Sequence, residues 1–223
     1  GGKSAGRVQS PAVRLLVERE REIAKFKPAS SFKTTGQFAH GDSEFKATLD
    51  TDFATEDEAK AFLDSLDNAA FTVANVSQTT GTRKPLPPFT TSTLQQDANA
   101  KLGFSTSATM TIAQKLYQSG YITYMRTDSV NLSSQALAQA SDYIKSAYGA
   151  EYHQFRTYRT KTAGAQEAHE AIRPTDLARE TVPGDERTKK LYSLIRGRTL
   201  ASQMADAKID RTTATIDISG HQP

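Results

Sequence analysis

The run Gly81-Thr82-Arg83-Lys84-Pro85-Leu86-Pro87-Pro88 separates two stretches of different periodicity. Its three prolines lack backbone donors and hold φ near −65°, so neither a helix interior nor a central strand passes through them. Between residues 28 and 80 short β-like runs recur; after the run the pattern is mainly helical, with apolar residues every three to four positions. A proline-stiffened connector and a domain boundary are therefore expected over residues 81 to 88.

Upstream, β-like runs at 31 to 38 and 45 to 49 flank the turn signal His40-Gly41-Asp42-Ser43, which predicts a hairpin. Thr55-Glu56-Asp57-Glu58 carries a capping-box pattern and predicts a helix to about residue 66, with Ala59, Phe62, Leu63 and Leu66 inward. Strands are expected over 70 to 79 and 212 to 218. Nearer the start, Pro11 suits a first helical turn, and Val13, Leu16, Val17 and Ile23 give a helical stripe ending before Pro28. Downstream, Thr91-Ser92-Thr93 and Ser105-Thr106-Ser107 open helices closed by Gly103 and Gly120. A third helix follows Asn131-Leu132-Ser133-Ser134 and stops at Gly149, and a fourth spans about 185 to 204. The fold class is α+β. Helix, turn, helix and the extended stretch after Gly120 form a winged-helix-like unit, an arrangement that commonly meets a DNA backbone.

No apolar run among the 223 residues reaches the length of a membrane span, and the N-terminus lacks the apolar region of a signal peptide. The absence of cysteine excludes a disulfide framework and a thiolate metal site, and a cytoplasmic location is expected. The net charge is only +3, but its distribution is uneven. Residues 1 to 27 carry 7 Lys and Arg against 3 Asp and Glu, residues 28 to 88 carry 5 against 9, and residues 89 to 203 carry 14 against 10. Basic excess thus falls outside the β-rich segment, a pattern that suits contact with phosphates and equally suits ordinary solvated surface.

The chemically informative stretch is Tyr121-Ile122-Thr123-Tyr124-Met125-Arg126-Thr127-Asp128-Ser129. It predicts a short strand ending at a turn, with Tyr121 and Thr123 on one face and Ile122 and Tyr124 on the other. If the extended backbone persists, Arg126 shares the face of Tyr124. A phenol is a nucleophile and a guanidinium offsets charge on phosphoryl oxygens, so the pair suits phosphodiester chemistry. The phenol's ordinary pKa of about 10 makes such help necessary. A half-buried packing tyrosine is the bland alternative, and the chain has eight tyrosines. Two other matches fail on context. Gly1-Gly2-Lys3-Ser4 lacks the upstream glycine and strand of a P-loop, and His169-Glu170 is followed by Arg173 where a zinc-protease helix needs its second histidine. The loop from 152 to 162 holds His153, Tyr158 and Arg159, read as a surface loop rather than a base-stacking one.

Residues 122 to 129 resemble the active-site signature of type IA DNA topoisomerases, whose tyrosine at the place of Tyr124 bonds covalently to DNA. Met125 is similar to the bacterial topoisomerase I branch; the topoisomerase III branch tends to have proline there. Ser4-Ala5-Gly6-Arg7-Val8-Gln9-Ser10-Pro11-Ala12-Val13-Arg14 resembles the family's DNA-contacting helix start. Glu167-Ala168-His169-Glu170-Ala171-Ile172-Arg173-Pro174 resembles the block with its active-site histidine.

The resemblance implies catalytic roles for Tyr124, Arg126 and His169, and DNA contacts by Ser4, Ala5, Gly6, Arg7, Val8, Gln9 and Arg173. It implies ATP-independent relaxation of negative supercoils through a 5′-phosphotyrosine ester, single-stranded or negatively supercoiled DNA as partner, and a monomer. It also implies an organisation: a helix of the DNA-contacting arch over 1 to 27, a discontinuous β-rich hinge or lever over 28 to 88 and 204 to 223, and a mainly helical domain with the tyrosine over 89 to 203. Family members bind Mg²⁺ in a Toprim domain. Asp50 and Asp52 lack a third acid and that context, so no metal ligand is expected here. The chain is expected to be a part of the enzyme that cannot relax DNA alone. The rivals are a non-catalytic winged-helix DNA-binding module and an interaction scaffold using the acidic β region; within the family, reverse gyrase shares the motifs.

Overall fold

The computed structural model describes Gly6, residues 8 to 158 and residues 169 to 221. Besides a 3-10 turn at Ala150–Tyr152, the described elements are α1 (Gln9–Lys25), β1 (Thr35–His40), β2 (Ser43–Thr48), α2 (Glu56–Asp64), β3 (Phe71–Arg83), α3 (Thr91–Leu102), α4 (Thr106–Gln118), α5 (Ser134–Ala147), α6 (Glu186–Ser202) and β4 (Ala207–Ile218). This is a mixed α+β chain with two antiparallel two-stranded sheets among the described residues, β1 with β2 and β3 with β4. It divides into two compact units, Gly1–Val76 with Ala214–Pro223, and Ser77–Thr213.

In the first unit, α1 begins where the Pro11 signal places it, and Arg14 to Glu18 and Arg19 to Glu22 ion pairs, each 2.7 Å, line its surface. Its helical stripe is uncovered among the described residues: Val13, Leu16, Val17 and Ile23 are all exposed. Helical spacing identifies a stripe without supplying a surface to bury it. The hairpin forms as expected, in register from Thr35 opposite Thr48 to His40 opposite Ser43. Gly41 takes φ +57° at the first position of its two-residue loop, where a side chain would be strained. Phe38 and Phe45 stack across the pair at 5.5 Å. The capping box also forms, since the Thr55 hydroxyl accepts from the Glu58 amide and the Glu58 carboxylate accepts from the Thr55 amide. On α2, Ala59 is buried and Phe62 lies 5.2 Å from Phe53.

β3 runs further than the sequence predicts and takes in Gly81, Thr82 and Arg83, leaving 84 to 88 as the connector. A Gly-Thr-Arg segment reads as loop locally, but β4 pairs with β3 from far along the chain. Thr80 donates its hydroxyl proton to Asp210 at 2.9 Å. β4 likewise starts earlier than expected, at Ala207.

The second unit holds most of the buried apolar side chains. Thr90 caps α3, one residue before the expected cluster, and Gly103 ends it at φ +67°. Leu94 and Ala98 of α3, Ile112, Ala113 and Leu116 of α4, and Leu191, Tyr192 and Ile195 of α6 are buried together with Phe89, Ile122 and Ile172. Ala140 and Ile144 of α5 form a smaller cluster with Leu177 and Leu200. The Arg198 guanidinium sits over the Phe89 ring at 4.3 Å and donates to Asp97 at 2.5 Å and to the Pro87 carbonyl at 3.4 Å. Burial works to raise the Asp97 carboxyl, but Lys101 and Arg198 outweigh it and hold the group below its ordinary value. The loop after residue 152 is tied to the end of α6. Gln203 exchanges hydrogen bonds with the backbone of Arg156, Arg156 pairs with Asp206, and the Tyr158 hydroxyl donates to the Ser202 carbonyl at 2.9 Å. Tyr158 is thereby tied to α6 and partly buried, while Arg159 lies outside the described residues.

Candidate active site

Tyr124 owes its place to the end of α4. Helix α4 stops in a paired turn: the Gly120 amide donates to the Tyr117 carbonyl and the Tyr121 amide to the Leu116 carbonyl, both at 2.9 Å. Gly120 adopts φ +74° to close it, a conformation that glycine accepts without the penalty of a Cβ. The chain then runs beside a segment nearly fifty residues further on. Ile122 bridges Pro174, and the Thr123 amide donates to the Arg173 carbonyl at 2.9 Å. The Thr123 hydroxyl donates to the Ala171 carbonyl at 2.7 Å and accepts from the Arg173 amide at 3.0 Å. Thr175 completes the seam, its amide donating to the Tyr121 carbonyl and its hydroxyl to the Gly120 carbonyl. Two blocks singled out separately in the sequence are thus bonded side by side.

The expected strand over 121 to 124 is not a regular one; only the Ile122 bridge remains. Ile122 and Tyr124 also differ in burial, 1 % against 44 % exposed. After Thr123 the hydrogen-bonding partner changes from 171 to 175 to the start of α3, which interrupts the alternation. Thr91 donates its hydroxyl proton to the Met125 carbonyl at 2.8 Å and its amide proton to the Thr127 carbonyl at 2.9 Å. From Tyr124 onward alternation holds: Tyr124, Arg126 and Asp128 are exposed, while Met125, Thr127 and Ser129 are buried. Neither the Tyr124 hydroxyl nor the Arg126 guanidinium bonds to another described residue. The Tyr124 ring does meet one neighbour, Tyr117, edge to face at 5.2 Å.

His169 is exposed and lies two residues before Ala171, whose carbonyl receives Thr123. Its following residue, Glu170, is the hub of the block. Arg173 forks onto the Glu170 carboxylate at 2.8 and 3.2 Å and donates a third bond to the Pro174 carbonyl at 2.9 Å. Glu170 also accepts from the Ser133 amide at 2.6 Å, at the cap of α5. Burial acts to raise the Glu170 carboxyl, yet the bonds from Arg173 and Ser133 prevail and leave it below its ordinary value. Arg173, expected at DNA, has a side chain only 12 % exposed and spends its donors on this fork. No local pattern in the sequence marks the partners of Thr123 and Thr91, which lie 48 and 34 positions away.

In the other unit, the Gly6 amide donates to the Gln9 side chain at 2.9 Å, and Val8 and Gln9 stand exposed at the start of α1. Ser4, Ala5 and Arg7 lie outside the described residues, as do Glu167 and Ala168. Among the described residues no three His, Asp or Glu side chains gather as a cation site, so these residues do not fit a Mg²⁺ centre. None of the described helices is long and apolar enough to cross a membrane.

The family model described as DNA topoisomerase matches residues 1 to 222. DNA topoisomerase 1 of Zymomonas mobilis is 44 % identical over 227 residues, which cover 97 % of this chain and 19 % of that protein. DNA topoisomerase 1 of Aquifex aeolicus is 44 % identical over 215 residues, 96 % of this chain and 39 % of that protein. The solved structure of full-length topoisomerase I from Thermotoga maritima is 34 % identical, with a TM-score of 0.72, covering 97 % of this chain and 36 % of that one. The chain therefore spans well under half the length of these relatives, and it belongs to the type IA DNA topoisomerase family.

Proposed function

We propose that this chain is the strand-cutting part of a bacterial topoisomerase I that relaxes negative supercoils without ATP. The Tyr124 phenol oxygen attacks a backbone phosphorus, the bond from phosphorus to the 3′ oxygen breaks, and that oxygen leaves as a hydroxyl with the proton. The cut strand's 5′ phosphate stays on Tyr124 as an ester. Reversal of the same step reseals the strand, and because one phosphate ester replaces another, no nucleotide is consumed. Arg126 offsets charge on the phosphoryl oxygens, and His169 holds the scissile phosphate or assists the proton. The observation that carries this reading is an exposed phenol on a segment bonded directly to the histidine block.

Ser4, Ala5, Gly6, Arg7, Val8 and Gln9 contact the DNA backbone at the start of α1, since a helix N-terminus suits phosphate. Arg173 serves DNA binding through the loop it braces against Glu170. Mg²⁺ is assigned to a Toprim domain beyond the matched region. We read α3, α4 and the segment after Gly120 as winged-helix-like, the β-rich parts as the hinge or lever, and the enzyme as a cytoplasmic monomer acting on single-stranded or negatively supercoiled DNA.

The test supplies the metal-binding domain of a relative, Mg²⁺ and a single-stranded oligonucleotide, and looks for protein joined to a 5′ phosphate. Adducts with the native chain and none with Tyr124→Phe are expected, and no relaxation of supercoiled plasmid by this chain alone. Adducts that persist in Tyr124→Phe overturn the nucleophile. DNA binding with no adduct in either protein favours the non-catalytic module.

A further inference from the structure

Tyr117 belongs to none of the three motif blocks, yet among the described residues its ring is the one packed against Tyr124. The centroids are 5.2 Å apart with the planes at 66°, an edge-to-face arrangement that aromatic rings favour. Tyr117 does not serve the core of its own helix, where Ile112, Ala113 and Leu116 are buried; its side of α4 leaves it 42 % exposed. The backbone linking the two tyrosines is fixed at both ends. The paired turn at Gly120 locks the residues after Tyr117, and the Thr123 bonds with buried Ile122 and Met125 lock those around Tyr124. The Tyr124 side chain has no comparable restraint: its hydroxyl bonds to no described residue. Edge-to-face contact with Tyr117 restrains the swing of its ring.

We propose that Tyr117 is a positioning residue for the nucleophile, holding the Tyr124 ring in the orientation that presents its oxygen to the phosphate. This rests on the reading of Tyr124 as the attacking group. In-line displacement needs the oxygen in one narrow direction, whereas an unrestrained side chain divides its time among staggered wells. The ring of Tyr117 supplies the restraint and its hydroxyl does not, so phenylalanine suffices in its place.

Two measurements test this. In the 223-residue chain labelled with 3-fluorotyrosine, the Tyr124 fluorine resonance is assigned by its loss in Tyr124→Phe. Tyr117→Leu is expected to move it towards the position of a free tyrosine, and Tyr117→Phe to leave it nearly in place. In full-length topoisomerase carrying this region, Tyr117→Leu is expected to slow single-turnover cleavage of a saturating oligonucleotide by about threefold to tenfold, as the loss of a few-well restraint implies. Oligonucleotide affinity and melting temperature stay close to the parent, and Tyr117→Phe restores the rate. An unchanged rate in Tyr117→Leu overturns the proposal. So does weaker binding with an unchanged saturated rate, which makes Tyr117 a base-stacking residue, and so does a Tyr117→Phe defect equal to that of Tyr117→Leu. If Tyr117→Leu lowers the melting temperature, an unmoved resonance in the folded Tyr117→Phe and Tyr117→Leu proteins alike overturns it. Adducts that survive Tyr124→Phe sink the nucleophile assignment itself; their loss there, beside normal cleavage by Tyr117→Leu, sinks only the positioning role.

Discussion

Removing the Tyr124 hydroxyl breaks no bond to a described residue, and its ring is already 44 % exposed. Tyr124→Phe is therefore expected to change unfolding free energy by less than about 0.5 kcal/mol while abolishing covalent adducts, a separation that denaturant titration and adduct assays read independently. Thr123 is the opposite case. Thr123→Val leaves the Ala171 carbonyl and the Arg173 amide without their partner, at a cost of about 1–3 kcal/mol, and loosens the histidine block beside the tyrosine. Adduct formation should fall with stability there. Glu170 gives a pH dependence. Its carboxyl titrates below its ordinary value in the folded chain, so its stabilisation is complete above the unfolded value and fades as pH falls through the folded one. The stability gap between the native chain and Glu170→Gln, followed by urea titration, should narrow as pH drops from neutral to below the ordinary 4.5. Tyr124 and Arg126 are legible as candidates because one contiguous string, 122 to 129, carries them, and His169 because a second, 167 to 174, does. The bonds of Thr123 to Ala171 and of Glu170 to Ser133 are not, since those partners lie 48 and 37 positions away.

Elements whose signals are local were read nearly to the residue. Thr55, Ser105 and Asp185 each accept from the amide three residues on, and Gly103 and Gly120 end their helices at positive φ, so residue type alone marks these ends. Where the signal depends on a partner, local reading falls short: β3 outruns its predicted end because β4 pairs with it, and the stretch after Gly120 is extended without being a strand. The turn at Gly120 joins this scale to the site. A Cβ added there meets nothing within 4 Å, so Gly120→Ala is penalised only through its φ of +74°. That places the loss at about 1–2 kcal/mol. Because the same turn orients Tyr117 and Tyr124, cleavage should slow in the variant, whereas Gly103→Ala, with φ +67° and an equally open Cβ, should lose similar stability and keep the rate. Parallel denaturation and single-turnover assays on the two variants separate these outcomes.

Burial is divided very unevenly between the two units. In the first, Ala59 is the buried apolar residue among those described, and its aromatic contacts, Phe38 with Phe45 and Phe53 with Phe62, lie in partly exposed clusters. In the second, Phe89, Leu94, Leu116, Ile122, Ile172, Tyr192 and Ile195 are each at most 1 % exposed. Apolar burial contributes roughly 25 cal/mol per Å², so the second unit owns most of the driving force for folding. The proline run at 84 to 88 lies inside the second unit, where Arg198 bonds to the Pro87 carbonyl and covers Phe89. The division itself falls within β3 and β4, beyond the prolines. Amide hydrogen exchange reads this directly, because local openings range from nearly free to the full unfolding energy according to buried contacts. Amides of α3, α4 and α6 should exchange slowest and together, and those of α1, β1 and β2 orders of magnitude faster. Low urea should release the first unit's amides while the seam between Thr123 and Ala171 stays protected. Uniform protection across both units would mean that the first unit draws stability from something other than its own core.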